Sequence, residues 1–302
     1  MTARRDEARR SARREARAGF FWRHLVGEYS LARSYWLHTV LLAWGLAAFG
    51  AWVFRELGDR TSMRAVSVAV LCFEPLVVAV WLWSMFGTAM SALRRFLDGS
   101  QIVWSLLALI SLGIGTVATV RELGKMGPYL REHWAVAQGQ QPTESFEVTL
   151  SNDGRVVMFS GGINDGAAAA IDKAIGAAPR VGTLLLHSPG GWLREGKRMA
   201  GVVKRYQLNT RVEGECFSAC TLVLLAGANR SAGEKAQIGF HRGRSIGESA
   251  EDRAVPALRE ESELYRSAGL KAEFVKRIVS TPNDDIWIPS RQELLREDVL
   301  TR

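Results

Sequence analysis

Hydrophobic and polar positions divide the chain into two unlike halves. In the first half the apolar runs are long and unbroken. Tyr35 to Phe54 is 20 residues in which His38 is the one side chain that titrates near neutral pH, Ala65 to Met90 carries only Glu74, beside Pro75, and Ile102 to Val120 is 19 residues without a charge. Each is long enough to cross the hydrocarbon core of a bilayer. Trp36, Trp52, Trp83 and Trp104 lie near the ends of these runs, as in an aromatic belt. The pattern predicts transmembrane helices over about 35–54, 65–90 and 102–120. Ahead of them, residues 1–18 are arginine-dense and polar, a basic arm, and Phe20, Phe21, Trp22, His24, Leu25 and Tyr29 suggest a short interfacial helix. The arm and this helix make up residues 1–34. No small-residue cleavage pattern follows the first apolar run, so it does not read as a signal peptide.

From residue 145 the apolar segments become short and change period. Residues 123–144 form a polar linker, with Gln138-Gly139-Gln140-Gln141-Pro142 near its end. Phe146 to Leu150 alternates as a strand, Asn152-Asp153-Gly154 is a hairpin turn, and Arg155 to Phe159 is the partner strand. A helix is expected from about Gly166 to Ala177 with Asn164 or Asp165 as N-cap, then a strand at Val181 to Leu186 and a helix from Trp192 to Tyr206. Strands alternating with helices imply an α/β unit over 145–302, a mostly parallel sheet flanked by helices. Beyond residue 241, Arg242 to Gly247 reads as a loop, Asp252 to Ala268 as an amphipathic helix interrupted near Pro256, and Leu270 to Val279 as another helix.

Charge fixes an orientation. The net charge is +8, but nine arginines precede the first span, against Arg55, Arg60 and Arg64 in the first loop. The excess is therefore explained by the positive-inside rule rather than by nucleic-acid binding. The N-terminus is expected in the cytoplasm and, after an odd number of spans, the α/β unit on the extracytoplasmic face of a bacterial plasma membrane. Glu74 has two readings: a functional intramembrane carboxylate, paired with His38 or a partner, or a protonated contact that only fixes packing. Three cysteines give neither a disulfide framework nor zinc spacing. Cys216 and Cys220 are either two small buried residues or a local disulfide, the latter requiring an oxidising compartment. No cofactor or metal motif is evident.

The candidate chemistry gathers around Gly214-Glu215-Cys216-Phe217-Ser218-Ala219-Cys220-Thr221. A β-favouring run precedes this stretch and an apolar run follows it, the layout that sets a hydroxyl at a helix N-terminus, where unpaired N–H groups favour negative charge. Upstream, Leu184 to Ser188 reaches the glycine turn Pro189-Gly190-Gly191; downstream, the short apolar run Ile238-Gly239-Phe240 ends on His241. These are the parts of an acyl-transfer site.

In their order and gaps, 28 residues from Gly190 to Ser218 and 23 from Ser218 to His241, these segments resemble the proteolytic-subunit family of Clp proteases. Asp285-Ile286-Trp287, followed by Glu293-Leu294 and Val299-Leu300, is similar to that family's closing segment, though one extra residue precedes Glu293. The resemblance covers about the last half of the chain. It implies a ClpP/crotonase-like fold and a serine endopeptidase. In that reading Ser218 is the nucleophile, His241 the base and Asp285 its orienting carboxylate. The N–H groups of Gly190 and Ala219 form the oxyanion hole, and Gly191 lies on the substrate side. It also implies a polypeptide substrate and an assembly arm after His241 used in homo-oligomer contacts. A soluble Clp subunit is fed by a cytosolic ATPase, which a tethered extracytoplasmic domain could not use, so unfolded or membrane-proximal polypeptides are the expected substrates.

Rival readings stand beside this one. Ser218 could be a simple helix cap, His187 is a competing histidine, and Asp284 competes with Asp285. A serine–lysine pair would recruit Lys235 or Lys271. A non-catalytic membrane scaffold would keep the fold without the chemistry, and a crotonase-like acyl-thioester enzyme would not need the Ser218–His241 pair.

Overall fold

The computed structural model describes residues 19–247 and 255–301. The basic arm over 1–18 and the start of the helix expected from Asp252 lie outside the described residues. The chain separates into two compact units, one drawn from residues up to 57 with Val68–Leu130, the other from Gly58–Ser67 with the chain from residue 131 onward.

The first unit is helical. A short helix α1 (Phe20–Leu25) precedes a π-helical stretch (Arg33–Leu41) that runs into α2 (Leu42–Arg60), then α3 (Met63–Leu97) and α4 (Ile102–Ala137). Among the described residues, three helices are long and apolar enough to cross a membrane. Trp44, Trp104, Ile114 and Val117 are among the large apolar side chains they turn outward, as a lipid-facing surface requires. In apolar surroundings no hydrophobic drive brings helices together, and polar pairs tie them instead. Ser34 and Ser91 hydroxyls meet at 2.9 Å, Thr39 and Thr88 at 2.8 Å, and Tyr35 and Ser111 at 2.8 Å. His38 is hydrogen-bonded to His24 at 2.9 Å rather than to Glu74. Helix α4 continues well past Val120, because Arg121 to Ala137 holds helix formers and Pro128 alone does not stop it; it ends where Gly139 takes φ +96°.

The second unit is built on a six-stranded sheet: β1 (Phe146–Leu150), β2 (Val156–Gly161), β3 (Thr183–Ser188), β4 (Asn209–Phe217), β5 (Arg230–Ala232) and β6 (Gln237–Gly239). Its order is β1-β2-β3-β4-β5, with β6 also on β4. Only β1 and β2 pair antiparallel, as the hairpin turn at Asn152-Asp153-Gly154 dictates; every other pairing is parallel. Helices α5 (Ala167–Gly176), α6 (Leu193–Arg205), α7 (Ala219–Leu225), α8 (Val255–Ser267), α9 (Ala272–Ser280) and α10 (Arg291–Arg296) flank it. Alternate strand residues Val157 and Phe159, Leu184 and Leu186 are fully buried in one core with Ile171, Met199, Val203 and Leu224. Each such side chain contributes about 1.5–3 kcal/mol on burial.

One expected cap is used elsewhere. Helix α5 begins after Gly166, and the Asp165 carboxylate instead accepts the N–H groups of Met63 (2.8 Å) and Arg64 (3.1 Å). Ser62 Oγ accepts from the N–H of Ala65, and the N–H of Val66 returns to the Ser62 carbonyl. Together these satisfy the first four N–H groups of α3.

Candidate active site

Ser218 joins β4 to α7 with φ 54° and ψ −123°. A residue with a side chain adopts such a conformation at a cost of about 1–3 kcal/mol, so the surroundings must impose it. Its N–H donates to the Gly239 carbonyl at 3.0 Å, and its own carbonyl accepts from the Thr221 N–H at 3.0 Å and the Thr221 hydroxyl at 2.8 Å. Cys216 and Cys220 form a disulfide across the turn, their Cα atoms 5.2 Å apart and both residues buried. Of the two readings their spacing allowed, the disulfide is the one found. The Ser218 hydroxyl makes no capping hydrogen bond to α7, so it is not spent as an N-cap.

The glycine turn stands directly against this serine. Gly190 has φ +99°, and a Cβ there would lie 2.7 Å from the Phe217 carbonyl oxygen and 2.8 Å from Ser218 Cβ. Only glycine fits both the conformation and the space. The Gly190 N–H, an expected oxyanion donor, is engaged by Ser188 Oγ at 3.1 Å. Ala219 N–H, the other expected donor, has no acceptor among the described residues. Gly191 bridges to Ile163, whose carbonyl oxygen leaves no space for a Cβ.

His241 follows β6, whose parallel register on β4 sets Phe217 opposite Gly239. Ser218 and His241 therefore leave the same end of adjacent strands, which lie about 4.8 Å apart. Among the described residues no hydrogen bond joins their side chains. The imidazole is buried, and burial lowers its pKa below the usual 6.5, opposed by the Asn283 backbone carbonyl, which favours the protonated ring. It is therefore neutral at pH 7, the state required of a general base.

The residue found at Nδ1 of His241 is Asn283, with Nδ2 at 3.2 Å; the same Nδ2 donates to the Arg242 carbonyl at 3.2 Å. The chain around Asn283 is anchored at both ends. Arg242 N–H donates to the Thr281 carbonyl, and Phe240 and Trp287 exchange N–H···O bonds of 2.9 and 3.0 Å. Asp285 is exposed, its carboxylate accepting the N–H of Ile286 at 2.8 Å, and Asp284 is exposed beside it. The structure thus brings Ser218, Gly190, Ala219 and His241 to one end of the sheet. It sets Asn283, which sequence reasoning passed over, on the imidazole. Its signal was position: Asn283 shares a short loop with both aspartates that were weighed. His187 accepts the Glu215 N–H through Nδ1, Lys271 donates to the Arg296 carbonyl, and Lys235 is exposed.

No family model matches the chain, and no curated protein does. Among solved structures, ClpP1 from Listeria monocytogenes and a point mutant of it are each similar to this chain with a TM-score of 0.40 and 20% sequence identity, over 49% of this chain and 90% of theirs.

Proposed function

We propose that this chain is a membrane-anchored serine peptidase acting on polypeptides at the extracytoplasmic face. The observation that carries this reading is the backbone of Ser218: a strained, disulfide-bracketed turn between strand and helix that leaves its hydroxyl free of any capping bond against a glycine corner. In this mechanism Ser218 Oγ attacks the peptide carbonyl while His241 takes its proton. The tetrahedral oxyanion is met by the Ala219 N–H and the glycine corner. One such donor is worth about 2.7–4 kcal/mol of barrier. Collapse expels the amine, which leaves with the proton from His241. Water, giving its proton to the same imidazole, then hydrolyses the acyl-enzyme.

Asn283 takes the orienting role first assigned to Asp285. For His241 to accept the serine proton at Nε2, the ring must carry its other proton on Nδ1; the Asn283 backbone carbonyl is an acceptor for it, whereas the Asn283 Nδ2 that now donates to Nδ1 must turn away. The disulfide supports an oxidising compartment, in agreement with the arginine distribution.

A second reading, a non-catalytic scaffold, draws on the Gly190 N–H already engaged by Ser188 and on the lack of a Ser218–His241 hydrogen bond among the described residues. Labelling with a fluorophosphonate separates the two. The peptidase reading expects labelling of the full-length protein that disappears in Ser218→Ala and His241→Ala; a folded wild-type protein that takes no label supports the scaffold.

A further inference from the structure

The loop between α2 and α3 is part of the same unit as the candidate site. Gly58–Ser67, which is the end of α2, the two linking residues and the start of α3, clusters with the sheet and its helices rather than with the rest of those two long helices. Arg198, on α6, donates through one guanidinium nitrogen to the Thr61 carbonyl at 2.8 Å and through the other to Glu195 at 3.2 Å. Glu195 is 3% exposed, and its second oxygen accepts the N–H groups of Gly166 (3.2 Å) and Ala168 (3.0 Å) at the start of α5. A buried carboxylate satisfied on both oxygens, with a cation held between it and a loop carbonyl, is costly to disturb.

The same turn of α6 touches the candidate oxyanion site. A Cβ added at Gly196 would lie 2.9 Å from the Ala219 carbonyl oxygen and 3.2 Å from Ala219 Cβ, so α6 rests on the first residue of α7. Helix α6 also starts directly after the Gly190-Gly191 turn, through Trp192, whose indole N–H donates to Gln141 at 3.0 Å. Residues 195 and 198 share one face of the helix, and Gly196 lies on the face turned to Ala219. The path from Thr61 to Ala219 is thus one hydrogen bond and less than one helical turn.

We propose that Arg198 is a positioning residue through which the loop joining α2 and α3 sets the seating of α6 on Ala219, and so the rate at which Ser218 is acylated. This rests on the serine-peptidase reading and adds its regulation: a change in that loop alters the oxyanion site without touching the nucleophile or the base.

The test uses full-length protein in lipid nanodiscs and a fluorophosphonate, with the maximal inactivation rate separated from the half-saturating concentration. Three variants are compared: Arg198→Met, Arg198→Lys, and a two-glycine insertion between Thr61 and Ser62. Arg198→Met and the insertion are each expected to lower the maximal rate about fivefold or more with the half-saturating concentration unchanged, the scale typical of coupling through a packed path. Arg198→Lys is expected to recover part of that loss. Combining Arg198→Met with the insertion is expected to give no further loss, because both cut the same link. Wild-type rates in both single variants, or losses that multiply when combined, overturn the proposal and leave the peptidase reading standing. Absence of wild-type labelling removes both. If Arg198→Met loses its cooperative thermal transition, the insertion variant alone decides, since it leaves every side chain of α6 in place.

Discussion

The two flanks of Ser218 are built on different principles. On the glycine flank, contact is backbone against backbone: Gly190 lies on Phe217 and Ser218 with no room for a methyl group. On the imidazole flank, the contacts run through side chains: His241 is buried and met by an amide, with loop residues on either side. The first flank tolerates one residue type, whereas the second accepts any group that can orient a ring. In the proposed peptidase reading, oxyanion geometry is therefore the rigid part of this site and proton transfer the adjustable part.

The sharpest attack on that contrast is Gly190→Ala. It forces a side chain into a φ of +99° and against Ser218 Cβ, and a loss of about 10²–10³-fold in fluorophosphonate labelling rate is expected, the effect of losing an oxyanion donor. Near-normal labelling would show the glycine flank to be less rigid than its contacts imply. Next in size, Asn283→Ala is expected to cost roughly 10²-fold by releasing the ring, since a misplacement of about 1 Å has that effect. Asn283→Asp should retain or raise the rate, because a carboxylate stabilises the imidazolium formed as the proton moves.

The disulfide lies where the two flanks meet. Replacing Cys216 and Cys220 together by serine opens a short loop, and the chain-entropy relation assigns its closure about 2 kcal/mol, read as a lower denaturation midpoint. An unchanged midpoint would mean that the turn is held by its hydrogen bonds alone. A smaller effect is expected in the pH profile. Burial lowers the His241 pKa, so the neutral base persists to lower pH, and the acid limb of labelling should have its midpoint below 6.5. Asn283→Asp should move that midpoint up, because the added negative charge favours the protonated ring. By linkage, the same burial removes stability as pH falls from 6.5 toward the lowered value, since the unfolded chain takes up a proton there that the folded state resists. Least of all should change in Asp285→Ala, within about 0.5 kcal/mol of stability and with labelling intact. Loss of labelling there, with Asn283→Ala unaffected, would return the orienting role to Asp285.

The glycine flank was legible in the sequence because backbone geometry dictates residue type. Pro189-Gly190-Gly191 reads as a glycine turn after a strand and Ser218-Ala219 as a strand-to-helix turn, and it was the resemblance to Clp proteolytic subunits that gave their order and gap a meaning. The parallel sheet was legible for a related reason, as its strands alternate at Val157 and Phe159 and break at glycine turns. The residue that meets the imidazole was not legible. Asn283, Asp284 and Asp285 are adjacent, and which one turns to the ring depends on where Thr281 and Trp287 pin the loop, a tertiary matter. Arg198 gave no signal either: an arginine on an amphipathic helix reads as solvated surface until the loop carbonyl it meets is known. The apolar runs announced the long helices but not their ends, because α4 continues in helix-forming residues beyond the last apolar one.

The cap on α3 carries a consequence for how the chain matures. Two of the N–H groups at the head of that helix find their acceptor in Asp165, about a hundred positions downstream. Until the later part of the chain has been made and has closed up, those groups have only water to turn to. The second long helix therefore acquires its finished first turn from a piece of protein synthesised long after it.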